Sequence, residues 1–171
     1  MGEARSQVAA PGPVSSRSQS WAAFLHGTAP RTDCEQYTEG MPELVHGVDL
    51  VEIRRIESML ESHGDHFIDR VFTAAEQRYA EEGGEGRAER YAARFAANEA
   101  IFKALGCGWA GGTAWVDVGV THHAGGAPAV ELTGQTATLA KEQGISSWVL
   151  SLSHSGGLAI ASVVGTPGGR G

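Results

Sequence analysis

The sequence predicts an α+β domain: a small, mostly antiparallel sheet with one long central helix and shorter helices flanking it. Two observations carry that prediction. The stretch from Arg87 to about Leu105 is strongly helical in character, and four short strand-like runs pair into two hairpins, around Gly125-Gly126 and around His154-Ser155-Gly156-Gly157. The remaining helical segments cluster between an early strand and those hairpins.

Residues 1 to about 43 hold no persistent strand or helix period and are dominated by Ser, Ala, Pro, Gly, Gln and Arg. They read as a disordered extension with a faint likeness to a transit peptide; Trp21, Phe24 and Leu25 can form a short docking turn. Order is expected from Leu44, where Leu44 to Leu50 is a short apolar strand with Asp49 near its end. Glu52 to Leu60 then places Ile53, Ile56, Met59 and Leu60 at helical spacing, with Arg54, Arg55, Glu57 and Glu61 on the other face. Gly64 should break that helix, and Phe67 to Phe72 forms a further helical piece. Thr73-Ala74-Ala75-Glu76 is a capping box for the next helix, which Gly83, Gly84 and Gly86 end.

The central helix follows, buried through Phe95, Ile101, Phe102 and Leu105 and stopped by Gly106. Gly106 to Gly112 is a glycine-rich connection. Thr113 to Val120 alternates as a strand, with Ala129 to Leu132 as its hairpin partner. Thr133 to Gln143 is a short helix closed by Gly144, and Trp148 to Ser153 pairs with Leu158 to Val164. The organised domain is expected over 44–165, with 166–171 a flexible tail.

With 171 residues, 24 of them glycine, the chain suits one domain with a real core and many turns. A net charge of −7 disfavours non-specific nucleic-acid binding and a membrane surface. Cys34 and Cys107 have no metal-ligand partners nearby and fit a reduced setting. Lacking a signal-peptide core or a membrane-length apolar run, the chain is expected to be cytoplasmic.

The chemistry concentrates on the central helix. Glu99 and Lys103 lie four residues apart, on one helical face. Asp49, near the end of the first strand, supplies a second carboxylate. Two carboxylates with phosphate oxygens and water are the ordinary ligand set of Mg²⁺. A lysine one turn away can neutralise a phosphate oxygen, and a following glycine loop lets backbone approach a nucleotide closely. Arg87, Arg90 and Arg94 run along the start of the same helix as further phosphate partners. By spacing alone, an ordinary ion pair and a plain strand-end aspartate fit as well. His122 and His123 are adjacent, so on a strand they point to opposite faces and cannot grip one metal; they read as a hairpin end.

Gly47-Val48-Asp49-Leu50-Val51-Glu52-Ile53, Phe72-Thr73-Ala74-Ala75-Glu76, Arg94-Phe95-Ala96-Ala97-Asn98-Glu99-Ala100, Lys103-Ala104-Leu105-Gly106 and Leu152-Ser153-His154-Ser155 occur in that order. Together they resemble the holo-acyl-carrier-protein synthase branch of the 4′-phosphopantetheinyl transferases, over about residues 44 to 165. The resemblance implies transfer of the phosphopantetheine arm of coenzyme A to a serine of an acyl carrier protein. It implies a homotrimer with sites between subunits, and Mg²⁺ held by Asp49 and Glu99. It further implies that Glu99 assists serine deprotonation, that Lys103 steadies the phosphate under attack, and that Arg94, Ser153 and His154 meet the nucleotide end. Gly106, Gly108 and Gly111 would line the nucleotide, with Trp109 as its shield or a subunit contact, and Arg55 would dock the acidic carrier helix. The carrier's pathway, whether fatty acid, polyketide or peptide assembly, is left open.

Asn98 departs from the pattern, because the family carries lysine there. A cation missing beside an anionic site implies reduced or specialised activity. It also keeps open a divergent member that acts on a carrier's tethered substrate by another reaction, or a non-catalytic carrier-binding subunit.

Overall fold

The computed structural model describes residues 44–107 and 113–168. The expected N-terminal extension, with Trp21, Phe24, Leu25 and Cys34, lies outside the described residues, as do Gly108, Trp109 and Gly111. The chain runs β1 (Val45–Glu52), α1 (Ile53–Val71), α2 (Ala74–Glu81), a 3₁₀ turn (Gly84–Gly86) and α3 (Arg87–Ala104). A second 3₁₀ turn (Trp115–Asp117) leads into β2 (Val118–His122), β3 (Pro128–Leu132), α4 (Gly134–Glu142), β4 (Ile145–Ser155) and β5 (Leu158–Pro167). β1, β5 and β4 form one antiparallel sheet in that order, and β2 and β3 a separate hairpin. This is the α+β architecture the pattern predicts.

α3 is the centre of the fold. Tyr91, Ala92, Ala93, Phe95, Ala96, Ala97, Ala100, Ile101 and Phe102 are all buried, so the helix is enclosed on nearly every side, which explains its weak amphipathicity. Small residues make that enclosure possible: α3, rich in buried alanine, packs against β5, where Ala159 and Ala161 are themselves fully buried. The closest approach is at Gly47. A β-carbon there would run into the Ala100 carbonyl oxygen and stand 2.9 Å from the Ala104 nitrogen. Only glycine therefore lets β1 lie backbone to backbone on α3.

α3 ends in a Schellman motif. Gly106 adopts φ 63°, its N–H donates to the Lys103 carbonyl, and the Cys107 N–H donates to the Phe102 carbonyl. Gly64 (φ 49°) kinks α1 between the two helical pieces the sequence separates. The capping box at Thr73 and Glu76 is present with both reciprocal bonds. Several boundaries differ from expectation: β4 begins at Ile145, ahead of the expected Trp148, and β5 runs to Pro167, past the expected Val164 and into the stretch read as a tail. The run from Thr113 begins as a 3₁₀ turn, because Asp117 is drawn away to cap α4: its Oδ2 accepts from the Gln135 N–H at 3.1 Å. The strand starts only at Val118 and continues to His122.

Candidate active site

Along β1, Val45, Gly47, Asp49 and Val51 face α3, while Val48 and Leu50 face outward. That alternation, with the close approach at Gly47, delivers Asp49 to the exposed end of α3. There Lys103 Nζ donates to Asp49 Oδ1 at 2.7 Å and to the Val48 carbonyl at 3.3 Å. The Asp49 side chain is 15% exposed and that of Lys103 45%, so the carboxylate is largely covered while the ammonium reaches solvent.

Glu99, one turn before Lys103, joins them. Burial, and next the Asp49 carboxylate, hold Glu99 above the usual carboxylate range, while Lys103 and Arg55 pull it down. Arg55 is the fourth member of this group. Burial lowers its basicity, opposed first by Asp49 and then by Glu99 and Glu52, and its guanidinium lies 5.8 Å from the centre of the Phe95 ring. Sequence reasoning puts Arg55 on a docking surface; the fold brings it half-buried beside the carboxylates.

A second region opens on α3 two to three turns earlier. A cleft of about 580 Å³ is lined by Tyr79, Arg90, Arg94, His122, Leu152 and His154, among others. Arg94 is 2% exposed, and its Nη1 donates to the Arg90 carbonyl at 3.1 Å. Its Nε and Nη2 are buried without a hydrogen-bond partner among the described residues. Its guanidinium lies 3.9 Å from the centre of the Tyr79 ring. Burial lowers the Arg94 basicity, with Tyr79 and the Glu76 carboxylate opposing. A buried cation with two unused donors at a cleft wall suits an anion.

Glu76 supports this wall from beneath. It is fully buried; Oε2 accepts from the Thr73 N–H (2.9 Å) and hydroxyl (2.8 Å), and Oε1 accepts from the Val120 N–H at 3.0 Å. Burial raises its affinity for a proton against those three bonds. The capping-box pattern identifies Glu76 but not its second task of tying the β2–β3 hairpin to α2.

The predicted residues thus divide. Asp49, Glu99, Lys103 and Arg55 gather at one end of α3; Arg94 and His154 line the cleft. Ser153 does not join them: β4 alternates, and Ser153 sits on the exposed outer face, opposite Ile160 of β5. Gly106 ends the helix beside Lys103. Asn98 does not face the carboxylates. It is fully buried and turned to the end of α1, where Nδ2 donates to the Val71 carbonyl at 3.4 Å. Tyr79 lines the cleft without being singled out by sequence, and His122, read only as part of a hairpin end, lines it too, since no spacing relates a helix residue to the last residue of a strand on another element. His122 and His123 do lie at a hairpin end, as read.

A family model for the 4′-phosphopantetheinyl transferase superfamily matches residues 46–163, and the chain belongs to that superfamily. Within it, the chain is of the holo-[acyl-carrier-protein] synthase type. The holo-[acyl-carrier-protein] synthase of Desulforudis audaxviator (strain MP104C) is 48% identical over 118 residues, spanning 69% of this chain and 88% of the relative. The crystal structure of holo-[acyl-carrier-protein] synthase from Neisseria meningitidis superposes with a TM-score of 0.65 at 32% identity, covering 71% of this chain and 96% of that one. The Helicobacter pylori holo-[acyl-carrier-protein] synthase, solved in complex with coenzyme A, superposes with a TM-score of 0.62 at 28% identity over 71% of this chain and 99% of that chain.

Proposed function

We propose that the chain transfers the 4′-phosphopantetheine group of coenzyme A to a serine hydroxyl of an acyl carrier protein, with Asp49 and Glu99 holding Mg²⁺. The observation that carries this reading is the convergence of Asp49, Glu99 and Lys103, with Lys103 Nζ 2.7 Å from Asp49. The names of the relatives and the coenzyme A complex of one of them support the substrate pair.

The residues fit the ion. Two carboxylates, one pushed above its usual range by burial and by the other, make an oxygen donor set that a hard cation relieves. Among the described residues no cluster of three or more His, Cys, Asp or Glu is found, so water and donor phosphates would complete the shell. Mg²⁺ bound there would neutralise charge on the pyrophosphate as it is cleaved. Glu99, or a water it orients, accepts the proton of the carrier serine. The serine oxygen then bonds to the phosphorus of the pantetheine arm, and the bond to adenosine 3′,5′-bisphosphate breaks. Lys103 donates to a non-bridging oxygen of the phosphate under attack, and Arg94 with His154 hold the 3′-phosphate in the cleft. Arg55, beside the carboxylates, engages an acidic face of the carrier.

The trimer reading takes support from the outer sheet face. Val48 (46% exposed) and Leu50 (58%) on β1, Ile160 (38%) on β5 and Val149 (65%) on β4 form an apolar surface that a second copy can cover. The cytoplasmic expectation rests on sequence; no helix among the described residues is long and apolar enough to cross a membrane.

Intact-mass analysis of apo acyl carrier proteins with this protein, coenzyme A and Mg²⁺ tests the proposal. One phosphopantetheinyl group gained with Mg²⁺, and none gained when a chelator is present from the start, is the expected result. Carriers that stay unmodified across fatty acid, polyketide and peptide types would overturn it.

A further inference from the structure

His122 is the group at the cleft whose presence the transfer reaction leaves unexplained. It closes β2, and its ring stacks on Tyr79 with centroids 4.7 Å apart and planes 29° apart. Tyr79 is in turn approached by the Arg94 guanidinium at 3.9 Å and the Arg90 guanidinium at 4.5 Å. Arg90 Nη1 donates to the Tyr79 carbonyl at 2.6 Å, which fixes that side of the stack. The two contacts between α2 and β2 run in parallel. Glu76 holds Val120, and three residues on along the helix Tyr79 holds His122, two residues on along the strand. The imidazole is therefore presented to the cleft by a rigid wall.

The charged and titratable groups around it come from four elements. α3 supplies Arg90, Arg94 and Glu89; α2 supplies Tyr79 at the surface and Glu76 beneath; β4 supplies His154; β2 carries His122 itself. Among the described residues, Glu89 is the one carboxylate lining the cleft, against two guanidiniums and two imidazoles.

We propose that His122 is a specificity-determining residue of the cleft, which takes up a proton when a phosphomonoester dianion binds and then donates to it. This rests on the reading of the cleft as the place of the donor's 3′-phosphate. In the free protein, partial cover of the exposed ring and next the Arg94 guanidinium lower its proton affinity below that of an ordinary histidine. A dianion among Arg90, Arg94 and His154 reverses the local field and favours imidazolium. Binding then strengthens as pH falls through the raised value of the complex. The gain levels off once pH passes below the depressed value of the free ring. A phosphomonoester's own second ionisation, near pH 6, weakens binding in acid for every variant alike, so the ratio of variant to wild type isolates His122.

The test is calorimetric titration of the full chain with adenosine 3′,5′-bisphosphate and with adenosine 5′-monophosphate, in two buffers of different ionisation enthalpy, from pH 6 to 8.5. Wild type should take up a fraction of a proton with the bisphosphate and markedly less with the monophosphate. His122→Gln should weaken the bisphosphate about tenfold at pH 6 and far less at pH 8.5, with proton uptake reduced. His122→Lys, with a fixed charge, should restore affinity without the uptake. Equal losses for both nucleotides, or unchanged proton uptake in His122→Gln, would overturn the proposal. Because the probe is binding, a failure of phosphopantetheine transfer registers separately, in the mass of the carrier.

Discussion

The active-site geometry depends on a residue with no side chain. A β-carbon at Gly47 would fall 2.8 Å from the Ala100 carbonyl carbon and 2.9 Å from the Ala104 nitrogen, besides its clash with the Ala100 oxygen. Ordinary carbon contacts begin near 3.5 Å, so Gly47→Ala drives β1 from α3 by at least roughly half an ångström. The obstacle is the backbone of an enclosed helix, and no rotamer change relieves it. Overpacking of this kind costs about 3 kcal/mol, at the upper end of its usual range, and should lower the melting temperature by about 10 °C. Asp49 travels with the strand, away from Glu99 and Lys103. Misplacement approaching an ångström costs a reaction of this type about 100-fold in rate. Circular dichroism melts paired with kcat for carrier modification, corrected for folded fraction, measure both effects. Gly125→Ala is the control, since nothing lies within 4 Å of its β-carbon position. A Gly47→Ala protein with wild-type melting and wild-type kcat would refute the close-approach argument.

Three further outcomes follow from the same geometry. Glu99 is held above the ordinary carboxylate range, so the folded state binds its proton more tightly than the unfolded state, and stability falls as pH rises through that window. In metal-free buffer Glu99→Gln should therefore match wild type near pH 4 and melt higher at pH 8; a variant that melts lower at pH 8 contradicts the raised value. Asn98→Lys should leave the transfer rate within about threefold while lowering the urea midpoint by the equivalent of about 2 kcal/mol, because the position is fully buried and faces Val71. A tenfold faster enzyme would instead place residue 98 beside the phosphates. Leu50→Glu, on the apolar outer face that the proposed trimer would cover, should give a monomer in light scattering and lower activity with it; an active monomer would remove the shared-site reading.

Much of this was legible in the chain. The helical character of Arg87 to Leu105, Gly106 as its stop and the capping box at Thr73 are local signals, and each has its expected bonds. The Glu99–Lys103 spacing places both on one face for the same reason. The relations between elements were less accessible. Gly47 reads as an ordinary strand glycine until α3 is laid against it. Arg55 looks like a surface cation from its helical face, yet the start of α1 turns it to the carboxylates that end its predecessor strand. Asn98 sits next to Glu99 in sequence, but consecutive helix residues point about 100° apart, and so one faces the core and the other the Asp49 carboxylate. Ser153 and His154 divide the same way across a strand. Asp117 could not be foreseen as the cap of α4, because it lies outside that helix and reaches it through space.

The central claim is that Asp49 and Glu99 act as one charged centre with Lys103 poised against it. Single-turnover transfer to an apo carrier, followed by intact mass, measures this directly for Asp49→Asn and Glu99→Gln beside wild type at saturating coenzyme A and Mg²⁺. Loss of either carboxylate should slow transfer by about 10²–10³-fold with the fold unchanged by circular dichroism. Rates within a few-fold of wild type for both variants would contradict the account.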